Sequence, residues 1–170
     1  MFGLAQKLAL SLAFAACLIP ISGCATSRAA VPDQLLGMSI GMSRSAAADA
    51  LNSIATLQKT ESGRQEVWKL RDDARFSTVA VGFDREDHVR YITAFVDKTT
   101  ASKRLSFKSV GDLSEAKAEI TGQHHRYIWE GRGGQYFVNV YGDDPEFITI
   151  YTIAKRTASD EPAGEEEDDD

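Results

Sequence analysis

Two cysteines and three histidines are all that 170 residues carry, and each shortage excludes chemistry. Cys17 falls in an N-terminal apolar segment that reads as a removable leader, so the remaining domain keeps only Cys24 and must fold without a disulfide. His124 and His125 form the only histidine cluster, and neighbours on a strand point to opposite faces, so their rings cannot readily chelate one ion. No G-x-S-x-G setting marks a serine nucleophile. Gly131-Arg132-Gly133-Gly134 lacks the Lys-Ser/Thr ending and the helix of a phosphate cradle, and reads as a turn. The acidic turns Asp84, Glu86, Asp87 and Asp143, Asp144, Glu146 lack EF-hand spacing and read as solvated hairpin tips. The sequence therefore calls for no catalytic residue, no metal ligand and no cofactor, and the chain reads as a non-enzyme.

Also missing is an apolar run of the roughly 20 residues needed to span a bilayer. What stands at the N-terminus instead is a short secretory pattern: Lys7, an apolar stretch over residues 8–21, then small residues. Ile21-Ser22-Gly23-Cys24 resembles the lipobox of bacterial lipoproteins, aliphatic-small-small-Cys, with Ile in place of the commoner Leu. That resemblance implies that Cys24 receives a diacylglyceryl group, that the chain is cut before it, and that the new amine is acylated. Several chains are what a lasting anchor needs, because a single myristoyl chain binds only marginally. Residues 1–23 are then a signal peptide and 24–34 a lipidated tether. In the same family an Asp after the cysteine retains the protein at the inner membrane; Ala25 stands here, which implies the outer membrane of a two-membrane cell, facing the periplasm.

Bases are absent from residues 160–170, which hold eight acids together with Pro162 and Gly164. Such a segment buries too little apolar surface to offset its ordering entropy, and disorder is expected there. Since the formal charge is −6, with 19 basic and 25 acidic side chains, the rest of the chain holds 19 bases against 17 acids and is nearly neutral. Nucleic acid is thereby disfavoured as a partner.

The ordered domain is expected over residues 35–159. Ser43 suits an N-cap, and Ala47, Leu51, Ile54 and Ala55 recur on one helical face, which predicts a helix over 44–55. A polar loop broken by Gly63 and strands over 65–71, 76–84 and 89–97 follow. Asp112 and Glu115 then suggest a capping box, Leu113, Ala116 and Ile120 a second helix face stopped by Gly122, and residues 124–130, 135–141 and 147–155 three more strands. Residues 83–99 and 141–157 match in spacing, with Val89 on Phe147, Ile92 on Ile150 and Phe95 on Ile153. The expected fold is two-layer α+β: two tandem units, about 36–100 and 104–157, each one helix and a three-stranded antiparallel sheet.

Gly41-Met42-Ser43, Trp68 and Phe83-Asp84 resemble the SmpA/OmlA type of small outer-membrane lipoprotein, whose helix-plus-sheet modules assist outer-membrane protein assembly. The tandem arrangement is similar to the β-lactamase inhibitory protein, which doubles such a unit and binds an enzyme across its sheet. These likenesses imply an envelope interaction module, or alternatively an inhibitor or sensor of an envelope enzyme. An unrecognised hydrolase is the third reading.

Register suggests where a partner would meet the sheet. With Arg132-Gly133 as a hairpin loop, Trp129 faces Tyr136 and Tyr127 faces Val138, on an apolar face continuing through Val140 to Ile148 and Ile150. The opposite face then carries Ile128, Phe137, Tyr141, Phe147, Tyr151 and Ile153, with Val79, Val81, Phe83, Val89, Tyr91 and Phe95 from the first unit. Either the units pack on each other or the domain dimerises through it, or Tyr141, Tyr151, Phe137 and Phe147 meet a protein partner.

Replacing Cys24 with Ser should remove the acyl mass and leave the chain either uncleaved at the lipobox or in the soluble fraction. Mass spectrometry with membrane fractionation checks this; unchanged cleavage and membrane association would refute the anchor.

Overall fold

The computed structural model describes residues 31–73, 75–97 and 104–157. The expected signal peptide, the lipid-bearing Cys24 and the acidic tail over 160–170 lie outside the described residues. Strands β1 (Gln34–Leu35) and β2 (Met38–Ser39) form a small antiparallel pair that precedes helix α1 (Arg44–Asn52). Four strands follow, β3 (Ala55–Glu61), β4 (Gln65–Leu70), β5 (Phe76–Phe83) and β6 (Val89–Val96), and then β7 (Lys117–Thr121), β8 (His124–Glu130), β9 (Tyr136–Gly142) and β10 (Ile150–Lys155). These eight make one antiparallel sheet in the order β3-β4-β5-β6-β10-β9-β8-β7.

This is a mostly β protein, and it corrects the expected two helix-plus-three-strand units. Each half is a four-stranded meander, and the last strands of the two, β6 and β10, pair with each other. Thr93 sits opposite Thr152 at the middle of that pairing, with their hydroxyls 3.1 Å apart.

The two largest departures from the expected elements occur at sheet edges; smaller ones are the unexpected β1–β2 pair and a last strand that begins at Ile150 rather than at 147. Ser43 caps α1 as foreseen, its Oγ accepting from the Ala46 amide at 3.3 Å. The helix ends at Asn52, however, because Ala55 already pairs with Leu70 in β3. All the β3 residues between Ala55 and Glu61 are exposed, so the strand shows no apolar alternation and reads as loop. In the second half, Asp112 Oδ1 accepts from the Ser114 amide at 2.9 Å but caps only a single 3-10 turn, Leu113–Glu115. Ala116 is extended, and Lys117–Thr121 pairs with β8 across a turn in which Gly122 takes a φ of +60°. The spacing of Ala116 and Ile120 was consistent with both outcomes, since residues four apart share a face on a helix and on a strand.

One face of the sheet holds the core. Cross-strand register lines up Val81, Ile92, Ile153, Val138 and Trp129 in one row, and Trp68, Val79, Ala94, Tyr151 and Val140 in the next. All ten are buried. Cover comes from Ala47 and Leu51 of α1, Leu35 and Met38 of the β1–β2 pair, and Phe107 and Val110 of the segment before β7. Arg44 latches α1 to the hairpin turns: its guanidinium lies 4.4 Å from the Phe83 ring centre and donates to the Gly63 carbonyl at 2.6 Å. Trp129, almost wholly inaccessible, donates its indole N–H to the Asp112 carbonyl at 2.8 Å. Val31 packs on this same covered side, where its carbonyl accepts from the Tyr136 hydroxyl at 3.4 Å, so the chain arrives from its N-terminal segment on the layered side of the sheet.

Because Trp129 fills the second half where no helix does, Trp129→Ala should lower unfolding free energy by about 3–5 kcal/mol, as deletions of large buried aromatics do. Urea unfolding of the two proteins measures it.

Candidate interaction face of the sheet

The other face of the sheet has no layer over it among the described residues. Its central row crosses all eight strands as Lys59, Val67, Ala80, Thr93, Thr152, Asn139, Ile128 and Lys117. Between the terminal lysines there is no charge. One flanking row brings Tyr91 and Phe137 to either side of Ala154, and the other runs Phe95, Ile150, Tyr141, Arg126, Glu119. Phe95 is 39 % exposed, and Tyr91, Phe137, Ile150, Tyr141 and Ile128 are half-buried. The pattern is an apolar and hydroxyl-bearing centre with charges toward the edge strands. Faces of this kind, apolar with a polar rim, mark interaction surfaces.

Several of these side chains are held in place. Tyr91 lies across Gly82, where any Cβ would collide with its ring, and its hydroxyl donates to Gln65 Oε1. Arg126 is pinned between Asn139 Oδ1 at 3.0 Å and Glu119 Oε2 at 2.9 Å. The Glu119 carboxyl is held below the usual carboxylate range by its hydrogen bond from Lys117 and by the nearby Arg126 charge. At the end of the face the Tyr141 hydroxyl lies 2.6 Å from His124 Nδ1, the two rings stack 5.8 Å apart, and Asp143 stands 3.5 Å from the same nitrogen. Partial desolvation and the neighbouring Asp143 carboxylate raise the Tyr141 phenol above its ordinary range.

The four proposed partner-facing residues separate. Phe137 and Tyr141 stand on the open face. Tyr151 does not: it pairs with Val140 and Ala94 on the covered face, is 6 % exposed, and meets Phe76 edge-on at 6.4 Å. Phe147 lies before β10, half-buried, with the Arg104 guanidinium 5.4 Å from its ring centre. Among the others expected on this face, Ile153, Val79, Val81, Phe83 and Val89 are buried in the core, whereas Tyr91, Phe95 and Ile128 are on the open face. The error is one of parity. Trp129 faces Val138 rather than Tyr136, an even shift that leaves the face unchanged, but the connection from β9 to β10 turns Tyr151 inward and Ile150 outward. Central threonines and Asn139 carried no sequence signal for the face, because alone they are ordinary strand residues.

The histidines stand on opposite faces as expected: His124 on Tyr141, and His125 inward, 6.4 Å from the Phe107 ring centre. The acidic turns spend carboxylate oxygens on their own backbone. Asp84 Oδ1 accepts from the Glu86 and His88 amides at 3.1 and 2.9 Å, and Asp144 Oδ1 from the Glu146 amide at 2.8 Å.

Burial pushes the Tyr151 phenol up to about 12. In the unfolded chain it titrates near 10, so below that pH its contribution is whole; above it the unfolded chain ionises first and stability falls until the folded phenol also titrates. Wild type should therefore lose about 2 kcal/mol more than Tyr151→Phe between pH 10 and 12, which urea unfolding at a series of alkaline pH values will measure. No family model, curated protein or solved structure matches the chain.

Proposed function

We propose that this chain is a lipid-anchored, non-catalytic protein of the bacterial envelope that uses the open face of its sheet to hold a protein partner. The observation that carries the reading is the uncovered face itself: a half-exposed set of aromatic and aliphatic side chains across both halves of one sheet, several fixed by hydrogen bonds before any partner arrives. Pre-fixed aromatics lose little freedom on binding, which favours affinity. Placement supports the same reading. The lipobox residues Ile21-Ser22-Gly23-Cys24 precede a chain that enters on the covered side at Val31. Six residues, 25–30, lie between the anchor and that point and extend at most about 3.5 Å each. A membrane-held domain of this build turns its layered side toward the bilayer and its open face away from it, and in a two-membrane cell Ala25 favours the outer membrane.

A photo-crosslinking residue placed at Phe137 or Tyr141 in living cells should give adducts with a discrete envelope protein. The same residue at the exposed Lys108, on the covered side, should not. Adducts with membrane assembly machinery would indicate an assembly role, and adducts with a soluble enzyme an inhibitor or sensor. Absence of adducts from the open-face positions, in a protein present at normal level, would count against the reading.

A further inference from the structure

The two edges of the sheet are unlike. At one end β3 is irregular, with a register shift between Leu57 and Lys59, and the end of α1 is tied beside its first residues, the Arg71 guanidinium donating to the Asn52 carbonyl at 2.7 Å. Bulges and covering elements are how sheet edges are kept from pairing further. At the other end β7 has neither. It is regular against β8 over its five residues, all five are exposed, and no described segment pairs with its far side. The helix expected beside it is absent, and Ile120, at 55 % the most exposed large apolar side chain among the described residues, stands on the core side of the sheet at this edge.

The β7 sequence is also self-complementary. In an antiparallel pair of two β7 strands centred on Ala118, Ala118 faces its own copy, Lys117 faces Glu119 of the second copy in both directions, and Ile120 faces Ala116. The Lys117–Glu119 contact of 3.3 Å and the Arg126–Glu119 contact of 2.9 Å already set alternating charge along this edge. A second copy extends that alternation to Arg126, Glu119, Lys117 along one cross-strand row. Opposite charges directly across strands stabilise such pairs and like charges oppose them.

We propose that β7 is a dimerisation edge, at which two copies of this chain join antiparallel into one sixteen-stranded sheet. A two-fold axis perpendicular to the sheet keeps both open faces on one side and both N-terminal segments on the other, so two membrane-anchored copies can pair on a single bilayer. Pairing over so few residues buries less than the roughly 1,200 Å² of a standard interface. The dimer is therefore weak in solution and is favoured where a surface concentrates the chains.

Sedimentation of the full chain, purified as it occurs in the cell, should show a reversible dimer at concentrations up to about 100 μM. Glu119→Lys and Lys117→Glu should each weaken it about tenfold or more, and the double exchange should restore it, since loss of the internal Arg126 contact is common to monomer and dimer. Ala118→Cys should form a disulfide-linked dimer under mild oxidation beyond what the wild-type chain shows. Lys117→Cys should not, because the two copies of residue 117 are out of register by two. Circular dichroism establishes that each variant is folded, and an Ala118→Cys chain that fails this leaves the charge exchange as the test. A wild-type monomer at 100 μM, whether the edge is bare or takes a strand from another protein, overturns the proposal. So does a double exchange that stays as weak as the single ones.

Discussion

The pairing of β6 with β10 is the interaction on which the rest of this structure depends. Each meander alone is a four-stranded sheet with a partial cover over its inner side: among the described residues the first has α1 and the β1–β2 pair, and the second short 3-10 turns. Joined through β6 and β10, the two present a continuous row of core residues, Val81, Ile92, Ile153, Val138 and Trp129, over which α1, the β1–β2 pair and the segment around Phe107 make one shared cover. A domain without a disulfide has to obtain its stability from apolar burial of this kind. The central position of the seam also explains the composition there. Thr93 and Thr152 are β-branched, which suits a strand, and their hydroxyls satisfy each other on a face that no described segment covers.

Having one cover for eight strands fixes the character of the other face. An antiparallel sheet with one solvated side ordinarily alternates apolar and polar residues strictly. Here the centre of the uncovered side keeps Val67, Ile128, Phe137 and Ile150 beside threonines, and its charges stand on the outer two strands at each side. Solubility alone does not require that distribution. A charge-free centre lowers the desolvation cost of an arriving surface, and charges near the rim bias its orientation without being buried.

The central strands were legible from residues and the architecture was not, and what was missed has a physical pattern. Strands β4, β5, β6, β8 and β9 lie within a residue of where β-branched and aromatic runs place them, because central strands are selected for those residues. Edge strands are not. β3 is polar and exposed, and β7 is short enough that the positions of Ala116 and Ile120 fit either period. Recognising the two edges as strands changes the architecture from two small layered units to one wide sheet, so the largest error came from the least apolar segments. The open face was half legible. Phe137 and Tyr141 fall on the expected face because the β8–β9 register differs from the expected one by an even number of residues, whereas across the β5–β6 turn Val79 and Val81 part from Tyr91 and Phe95. Between Gly142 and Ile150 the chain makes a longer connection, with the Thr149 amide donating back to the Tyr141 carbonyl at 2.7 Å, and parity is lost across it. Tyr151 therefore sits in the core.

The likeness between the halves is real at the level of strand order and incomplete at the level of cover, and this asymmetry has consequences at the edges. Where α1 is present, β3 is guarded and its neighbours are tied by Arg71 and Arg44. Where the helix is missing, Trp129 and Phe107 fill the inner side only as far as Tyr127, whose ring lies 4.9 Å from that of Phe107 and 6.0 Å from that of Trp129. Beyond Tyr127 the inner side carries Ala118 and, opposite His125, Ile120, both exposed. A sheet whose core thins out toward one edge is better completed by more sheet than by a lone residue, since an added strand satisfies the free backbone groups and shelters Ile120 together, and no side-chain substitution within the chain does both.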